Sequence, residues 1–369
     1  MLTPAPPRRS NKILIFGGAF DPVHRGHLGL LKAAQRQIRP TKTLVIPSSD
    51  LTAHKGMTLL PAATRLELAT AAFKRLPATY ISTLEIEKSS PPYTWQTLSI
   101  LKRRYPGHDF YLLLGSDSLA NIKKWRRAAT ILGDPDVYFV TARRPRHGLG
   151  HVPPRTIVLD ARLPDLSSSR LKDLLLGSRP NALGYWSKAL PTSAARRLRE
   201  PAILTCIIKA YLARKLPAQR YRHTLCVARL AAELAPRPLK TAATIAALLH
   251  DASRTNPAFT DIREALGHAR ISVGIASNVF GIRDVSILRA IAAHTTGTAR
   301  MDLLARILYV ADFASYDRTF SAAAKIRALA RKNLALALRR SAYEKLGYLI
   351  DNGQPIDTAT IAFWNTLWR

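Results

Sequence analysis

The chain has 369 residues, a formal net charge of +32 and 47% hydrophobic residues. This length suits two domains, each with a buried core. No apolar run approaches the roughly 18 residues that span a bilayer, and no apolar signal segment opens the chain. The chain has only two cysteines, Cys206 and Cys226, which argues against a disulfide framework or a thiolate metal site. These features predict a cytoplasmic protein without a membrane partner.

The basic residues are spread evenly along the chain. Residues 1–190 contain 29 of the 56 Lys and Arg residues and 12 of the 24 Asp and Glu residues. A nucleic-acid-binding domain usually gathers its positive charge on one face or helix. The even spread therefore favours a compositional bias, with attraction of small polyanions as the functional alternative, and argues against nucleic acid as a partner.

Apolar runs alternate with amphipathic segments in the first half of the chain. The strand candidates are residues 12–16, 43–46, 110–114 and 137–140. The helical patterns between them include residues 28–38, 62–76 and 95–105. Strands that alternate with helices predict a parallel sheet covered by helices on both faces.

The string GGAFDPVHRGH, from Gly17 to His27, comes directly after the first predicted strand. Gly17 and Gly18 let a ligand approach the backbone, and the following helix N-terminus supplies free N–H groups that suit a phosphate. His24 and His27 are three residues apart and face the same side of the first helical turn. Gly26 keeps the space between them open. The pattern predicts a polyphosphate site that uses both histidines.

This string resembles the HxGH signature of the nucleotidyltransferase superfamily. A resemblance to bacterial nicotinate-nucleotide adenylyltransferases extends over most of residues 11–199. The segments that carry it are Ile46-Pro47 with His54-Lys55, Arg65, Glu85-Ile86-Glu87, Pro92-Tyr93-Thr94, Gly115-Ser116-Asp117 with Trp125, and Leu166 to Lys172. Two positions depart from the family pattern: Lys172 replaces an arginine, and Arg146 replaces a glycine after Arg144-Pro145.

The resemblance implies a doubly wound, Rossmann-like α/β domain that transfers AMP from ATP, accompanied by Mg²⁺, to nicotinate mononucleotide. The products would be nicotinate adenine dinucleotide and pyrophosphate. His24, His27 and Lys172 would be catalytic, with Ser168 also holding the pyrophosphate. The implied substrate contacts are Gly17, Gly18, Phe20, His54, Lys55, Tyr93, Thr94, Gly115, Asp117, Trp125, Arg144 and Ser168. Another acceptor, such as pantetheine phosphate or nicotinamide mononucleotide, is the alternative.

The second half of the chain is predicted to be all-helical. Its amphipathic segments are residues 201–216, 219–235, 239–252, 284–294, 301–314, 321–328 and 333–351. The segment from Gly177 to Pro201 is rich in proline and contains the predicted seam. We therefore predict two domains, residues 1–200 and 201–369.

Six His and Asp side chains lie on or beside these helices: His223, His250, Asp251, His268, His294 and Asp312. A His-Asp doublet at the end of an apolar helix is costly unless it is paired, and a metal ion offsets that cost. Imidazole and carboxylate ligands suit iron, manganese or zinc. Six such groups exceed the needs of one ion, so a site for two ions is predicted.

The order His…His-Asp…His…His…Asp resembles the HD superfamily of metal-dependent phosphohydrolases. More closely, residues 201–350 resemble symmetrical diadenosine tetraphosphate hydrolases, through RYRHTLCVA, ALLHDASR, AHTTG and YVADFASYDRTF. The resemblance implies cleavage of diadenosine tetraphosphate to two ADP by two transition-metal ions, iron or alternatively manganese, with Asp251 catalytic. The implied substrate contacts are Arg254, Thr296, Gly297 and Arg318. A regulatory nucleotide-binding module and a phosphatase for nucleoside monophosphates or RNA ends are the alternatives.

Overall fold

The computed structural model describes residues 11–52, 56–87, 93–143, 152–255 and 262–368. The chain divides into two compact units. The first comprises the residues up to Asp173 together with Tyr185–Glu200, and the second comprises Leu174–Gly184 and the residues from Pro201 onwards. The assignment of residues 1–200 and 201–369 to domains with separate activities stays a prediction.

The described part of the first unit contains the strands β1 (Asn11–Gly18), β2 (Lys42–Pro47), β3 (Leu51–Thr52), β4 (Gly56–Met57), β5 (Thr79–Ile81), β6 (His108–Leu113), β7 (Val137–Ala142) and β8 (Thr156–Leu159). Six of them form one parallel sheet in the order β5-β2-β1-β6-β7-β8. β3 and β4 form a separate antiparallel pair. The two edge strands, β5 and β8, were not predicted from the sequence, and both are short and mostly half-exposed. The apolar run in β8, TIVL, could have revealed that strand.

The central strand β1 is buried on both faces. Its residues Ile13, Leu14, Ile15 and Phe16 are at most 3% exposed. Consecutive buried residues are typical of a parallel strand that has helices on both sides of the sheet. The helices of this region are α1 (Arg25–Ile38), α2 (Ala62–Phe73), α3 (Thr94–Arg104), α4 (Ser116–Ala120), α5 (Ala128–Gly133), α6 (Ser168–Leu176), α7 (Ala182–Ala189) and α8 (Thr192–Arg197).

The strand order reverses beside β1, which lies between β2 and β6. In a doubly wound sheet a crevice opens at the carboxyl ends of the strands at such a point. Gly17 and Gly18 end β1, and Gly115 follows β6. The topology thus brings two predicted substrate-binding segments to the same edge of the sheet. The predicted doubly wound α/β fold, followed by a helical HD-type region, is confirmed.

Every regular element in the described part of the residues from Pro201 onwards is helical. The helices are α9 (Pro201–Lys215), α10 (Ala218–Leu234), α11 (Lys240–Leu249), α12 (Ile262–Gly274) with a π-helical turn at Ile275–Val279, α13 (Val285–Ala293), α14 (Leu303–Phe313), α15 (Ser321–Lys332), α16 (Leu334–Asp351) and α17 (Thr358–Thr366).

α11 and α14 are the most deeply buried helices of this second unit. The residues from Ile245 to Leu249 are all buried, as are those from Ile307 to Ala311. A helix that is apolar all round belongs in the middle of a bundle. We therefore expect the polar side chains near the carboxyl ends of these two helices to lie in the core.

Among the described residues, no helix combines the length and the apolar character needed to cross a membrane.

Candidate active sites

A cleft opens at the carboxyl edge of the sheet, where β1 and β6 end. Its empty volume is about 1050 Å³, including the mouth that is open to solvent. The predicted site residues that line it are Gly17, Gly18, Phe20, His24, His27, Gly115, Asp117, Ser168 and Lys172.

The two histidines of the HxGH string are stacked at the start of α1. Their ring centroids are 3.7 Å apart and the ring planes differ by 23°. The backbone N–H of His24 donates to His27 Nδ1 at 3.2 Å. Since Nδ1 of His27 accepts a hydrogen bond, a neutral His27 ring carries its proton on Nε2. The pair therefore offers ring N–H donors to an anion in the cleft.

Gly26 is required by the position of the His24 ring. A Cβ atom built at Gly26 would lie 2.9 Å from both Cε1 and Nδ1 of His24. The His24 side chain is buried, so the ring has little room to move away. The close approach explains why a glycine separates the two histidines.

We therefore expect Gly26→Ala to displace the His24 ring and to lower the rate of the reaction in this cleft by about 10- to 100-fold, since misplacement by about 1 Å has effects of this size. The measurement is steady-state turnover of the full chain, alongside Gly133→Ala as a matched control. A Cβ at Gly133 meets nothing within 4 Å. Equal rates in the two variants would show that the His24 position does not matter.

A buried arginine holds the loops that form the floor of the cleft. Arg65 of α2 is 0% exposed. Its guanidinium donates to the carbonyl oxygens of Leu60 at 3.0 Å, Ala19 at 2.6 Å and Ser48 at 2.8 Å. The arginine recognised in the sequence thus joins the loop after β1 to the loop after β2, and its role is structural.

Asp21, which sequence analysis did not select, lies in the cleft and is 2% exposed. Its carboxylate accepts from the backbone N–H groups of Leu59 and Leu60 at 2.7 and 3.0 Å. Lys172 Nζ lies 3.3 Å from Asp21 Oδ2, and the Ser168 hydroxyl donates to the Pro22 carbonyl at 3.0 Å. Both residues of α6 are therefore tied to the loop that carries His24.

The residues predicted to recognise the acceptor lie outside the lining of this cleft. Trp125 packs against the hydrophobic core. Tyr93 accepts a hydrogen bond from Arg126 at 3.2 Å, and the Arg126 guanidinium lies 4.9 Å from its ring centroid. Thr94 begins α3 next to Tyr93. Their predicted contacts with substrate stay predictions, and His54, Lys55 and Arg144 lie outside the described residues.

In the second unit the six predicted ligands converge on one buried centre. Two groups of three residues could each hold an ion. In each group every residue offers one potential ligand atom, and these three atoms lie within 4.8 Å of one another. The first comprises His223, His250 and Asp312, and the second comprises His250, Asp251 and His294. His268 is also present, with Nε2 3.1 Å from Asp251 Oδ1 and 3.0 Å from His294 Nε2. His250 is common to both groups, so the six residues form one contiguous centre.

The end of α11 orients His250. Its Nδ1 donates to the Ala247 carbonyl at 2.6 Å, one of the last carbonyls of the helix, which lack intrahelical partners. The neutral ring therefore directs its Nε2 lone pair toward Asp251 Oδ2 at 3.7 Å and Asp312 Oδ1 at 3.9 Å. Within the described residues this buried nitrogen has no hydrogen-bond partner. A lone pair without a donor between two carboxylates fits a divalent cation.

The protonation of His250, Asp251 and Asp312 matches this interpretation. Burial lowers the pKa of His250 to about 4, so the ring is neutral at pH 7. Burial opposes ionisation of Asp251 and Asp312, but the neighbouring histidines outweigh it and hold both carboxyl pKa values well below the usual range. Burial also opposes charge on His223, yet its hydrogen bonds to Asp312 and Asp317 raise its pKa to about 9. This ring would therefore release its Nε2 proton when an ion binds.

Four cationic side chains surround the centre. Arg254 Nη1 lies 3.2 Å from Asp251 Oδ2, and Arg318 Nη2 lies 3.8 Å from Asp312 Oδ1. Two further cations were missed in the sequence. Arg220 Nη1 is 4.0 Å from Asp251 Oδ2, and Lys345 Nζ is 3.8 Å from Asp312 Oδ2. Arg220 precedes a ligand by three residues on the same helix, a spacing that could have revealed it, whereas Lys345 has no such signal.

Thr296 and Gly297 have local packing roles, and their predicted contacts with the substrate stay predictions. Gly297 has a positive φ of 72°, and a Cβ there would overlap the Phe363 ring. The Thr296 hydroxyl donates to the Gly297 carbonyl. It is Thr295 whose hydroxyl approaches the centre, at 3.1 Å from His294 Nε2 and 3.3 Å from His268 Nε2.

The sheet with its HxGH cleft defines a nucleotidyltransferase-type fold, and the buried His/Asp centre defines an HD-type helical fold. Residues 15–174 match the cytidylyltransferase-like family, and residues 220–317 match the HD domain. A probable nicotinate-nucleotide adenylyltransferase of Exiguobacterium sibiricum is 34% identical over 171 residues, which are 46% of this chain and 88% of that one. One from Streptococcus pneumoniae is 30% identical over 177 residues, 48% and 83% of the two chains.

Two solved structures are also similar. A predicted HD superfamily hydrolase involved in NAD metabolism from Clostridium acetobutylicum has 30% identity and a TM-score of 0.40, with 44% of this chain and 95% of that one covered. Nicotinic acid mononucleotide adenylyltransferase of Plasmodium falciparum, complexed with NaAD, has 20% identity and a TM-score of 0.43, with 51% and 94% covered.

Through its N-terminal part the chain belongs to the nicotinate-nucleotide adenylyltransferase family, and its C-terminal part contains an HD domain. Both resemblances found in the sequence are confirmed at this level. The HD domain implies that the buried His/Asp centre binds a divalent metal.

Proposed function

We propose that the first unit transfers AMP from ATP to nicotinate mononucleotide. The observation that carries the proposal is the stacked pair His24 and His27 in a cleft at the carboxyl ends of β1 and β6. A phosphate oxygen of nicotinate mononucleotide would attack the α-phosphorus of ATP, and the bond to the β-phosphate would break. Nicotinate adenine dinucleotide and pyrophosphate would be the products.

Such a reaction requires positioning and charge stabilisation more than a covalent intermediate. The ring N–H groups of His24 and His27 would donate to the phosphate oxygens on which negative charge increases. Lys172, across the cleft in α6, would exchange its contact with Asp21 for the leaving pyrophosphate. Mg²⁺ would enter as part of the ATP substrate.

We propose that the second unit is a phosphohydrolase that cleaves diadenosine tetraphosphate into two ADP. Two divalent ions, iron or manganese, would lower the pKa of an attacking water and neutralise charge on the phosphate. Asp251 presents Oδ1 to His268 and His294 and Oδ2 to Arg254. The set His223, His250, Asp251, His268, His294 and Asp312 would hold the ions.

The arrangement of cations supports a polyphosphate substrate for this centre. Arg220 and Arg254 lie beside Asp251, whereas Arg318 and Lys345 lie beside Asp312. Positive charge thus flanks both carboxylates, which suits phosphate groups on both sides of the bond that breaks. A nucleoside monophosphate would use only one of these pairs. We place both reactions in the cytoplasm, where Cys206 and Cys226, both free thiols, would stay reduced.

The test is a substrate screen on the full-length protein. We expect pyrophosphate release from ATP with nicotinate mononucleotide, and ADP as the only nucleotide product from diadenosine tetraphosphate. The protein should then be treated with a chelator, freed of the chelator and supplied with Mg²⁺ alone. The transferase should be active under these conditions because it needs no resident ion, whereas the hydrolysis should be lost. Added Fe²⁺ or Mn²⁺ should restore the hydrolysis.

Turnover with nicotinamide mononucleotide or pantetheine phosphate in place of nicotinate mononucleotide would contradict the first assignment. ATP and AMP as products would indicate asymmetric cleavage and contradict the second. A protein that binds nucleotide but hydrolyses none, even with Fe²⁺ or Mn²⁺, would favour a regulatory HD module.

A further inference from the structure

The histidines of the two metal-binding groups differ in how their outer ring nitrogen is held. His250 donates through Nδ1 to the Ala247 carbonyl, and His294 does so to the Ile291 carbonyl at 2.7 Å. Each acceptor lies three residues earlier, at the end of the helix that precedes the histidine. The backbone itself therefore sets these two rings.

Among the residues that the structure describes, the His223 ring has no such backbone partner, because it lies inside α10, where main-chain carbonyls are engaged in the helix. Its Nδ1 donates instead to Asp317 Oδ2 at 2.9 Å, and the Ser315 hydroxyl is farther away at 3.4 Å. The Nε2 atom is then left to face Asp312 Oδ1 at 3.1 Å. One ligand of the centre is thus oriented by a carboxylate 94 residues away in sequence.

Asp317 is held in place independently of any ion. It follows Tyr316, whose hydroxyl donates to Glu233 of α10 at 2.5 Å and accepts from Arg331 of α15 at 2.8 Å. The Tyr316 ring also lies beneath the Arg229 guanidinium, 4.4 Å from its centroid. These contacts fix the loop between α14 and α15 to α10, so the Asp317 carboxylate is preorganised for the His223 ring.

We propose that Asp317 is a positioning residue of the HD centre. By accepting from His223 Nδ1 it fixes Nε2 as the ligand atom, and so sets the affinity of the ion bound by His223, His250 and Asp312. The group His250, Asp251 and His294 does not include this ring and is not affected. The inference rests on the proposed function only in that the centre must bind divalent ions.

The test uses full-length Asp317→Ala and Asp317→Asn proteins, stripped of metal and titrated with Mn²⁺ in competition with a chelator. Loss of an outer hydrogen-bond partner typically lowers metal affinity about 10- to 100-fold. We expect the unaltered protein to bind about two Mn²⁺ ions, and Asp317→Ala to bind one of them more weakly by this factor. The electron spin coupling between the paired Mn²⁺ ions should then be lost. Asp317→Asn should recover part of the loss, since its amide oxygen still accepts from Nδ1.

The matched control is Asp351→Ala, which removes an exposed carboxylate at the end of α16. It should bind both ions as the unaltered protein does. If the unaltered protein binds no ion, the proposed function and this inference both fail. If it binds both ions and Asp317→Ala does so with equal affinity, only the inference fails. The inference would also be wrong if Asp317→Ala and Asp317→Asn each lost affinity for both ions to the same extent.

Discussion

Replacing His250 and Asp251 together by alanine is expected to yield a protein without bound transition metal and without phosphohydrolase activity, while pyrophosphate release from ATP continues at the rate of the unaltered protein. His250 belongs to both groups of potential ligands, and Asp251 is the carboxylate nearest to His268 and His294. The double substitution therefore removes at least one ligand from each of the two groups that could hold an ion.

Metal analysis of the purified protein and parallel assays of both reactions check this expectation. The transferase reaction serves as the internal control, since its cleft lies in the other unit and shares no described lining residue with the centre. Retention of two ions by the variant would place the metal elsewhere. Loss of both activities at once would show that the transferase depends on an intact HD centre.

Replacing His24 by alanine is expected to lower the kcat of adenylyl transfer by about 100-fold or more, the usual effect of removing a hydrogen-bond donor that acts on developing charge. The His24 ring lines the cleft and stacks on His27 at 3.7 Å. Its loss removes one donor and also the surface that orients the second ring. Metal content and phosphohydrolase activity should not change.

His108→Ala is the matched control, because it removes another imidazole from the same unit. His108 begins β6, at the amino edge of the sheet, and its Nδ1 contacts the Pro106 carbonyl at 3.0 Å. Its removal should leave kcat within a few-fold. A His24→Ala protein that keeps a comparable rate would contradict direct phosphate contact, and an increase only in the KM for ATP would assign His24 to ground-state binding.

The parts of the two sites that are local in sequence could be predicted. Gly17, Gly18, His24 and His27 occur within eleven residues of one strand–helix junction, so a single string carries the chemistry. In the helical region, five of the six ligands lie within a predicted helix or at the end of one, and their order along the chain was enough to group them. His268 is the exception, because its helix α12 (Ile262–Gly274) was not predicted.

The parts that depend on distant packing could not be predicted. Asp21 and Lys172 are 151 positions apart and meet only because α6 returns to the loop after β1. Lys345 reaches Asp312 from α16, and no periodic pattern marks an inward lysine on an amphipathic helix. Trp125 follows the segment from Gly115 to Asp117 and packs, partly buried, against the core; its contact with the substrate stays a prediction.

The division of the chain between the units limits how they can be separated. Leu174–Gly184 belongs to the second unit, although Tyr185–Glu200 returns to the first. Within the second unit, the Ser178 hydroxyl contacts the Tyr211 hydroxyl at 2.7 Å, and Asn181 donates its N–H to the Asn278 carbonyl at 2.6 Å. A protein truncated after Glu200 would keep this segment without these two hydrogen-bond partners. Gene truncation is therefore a poor route to either activity alone, and point substitutions in the intact chain are the better one.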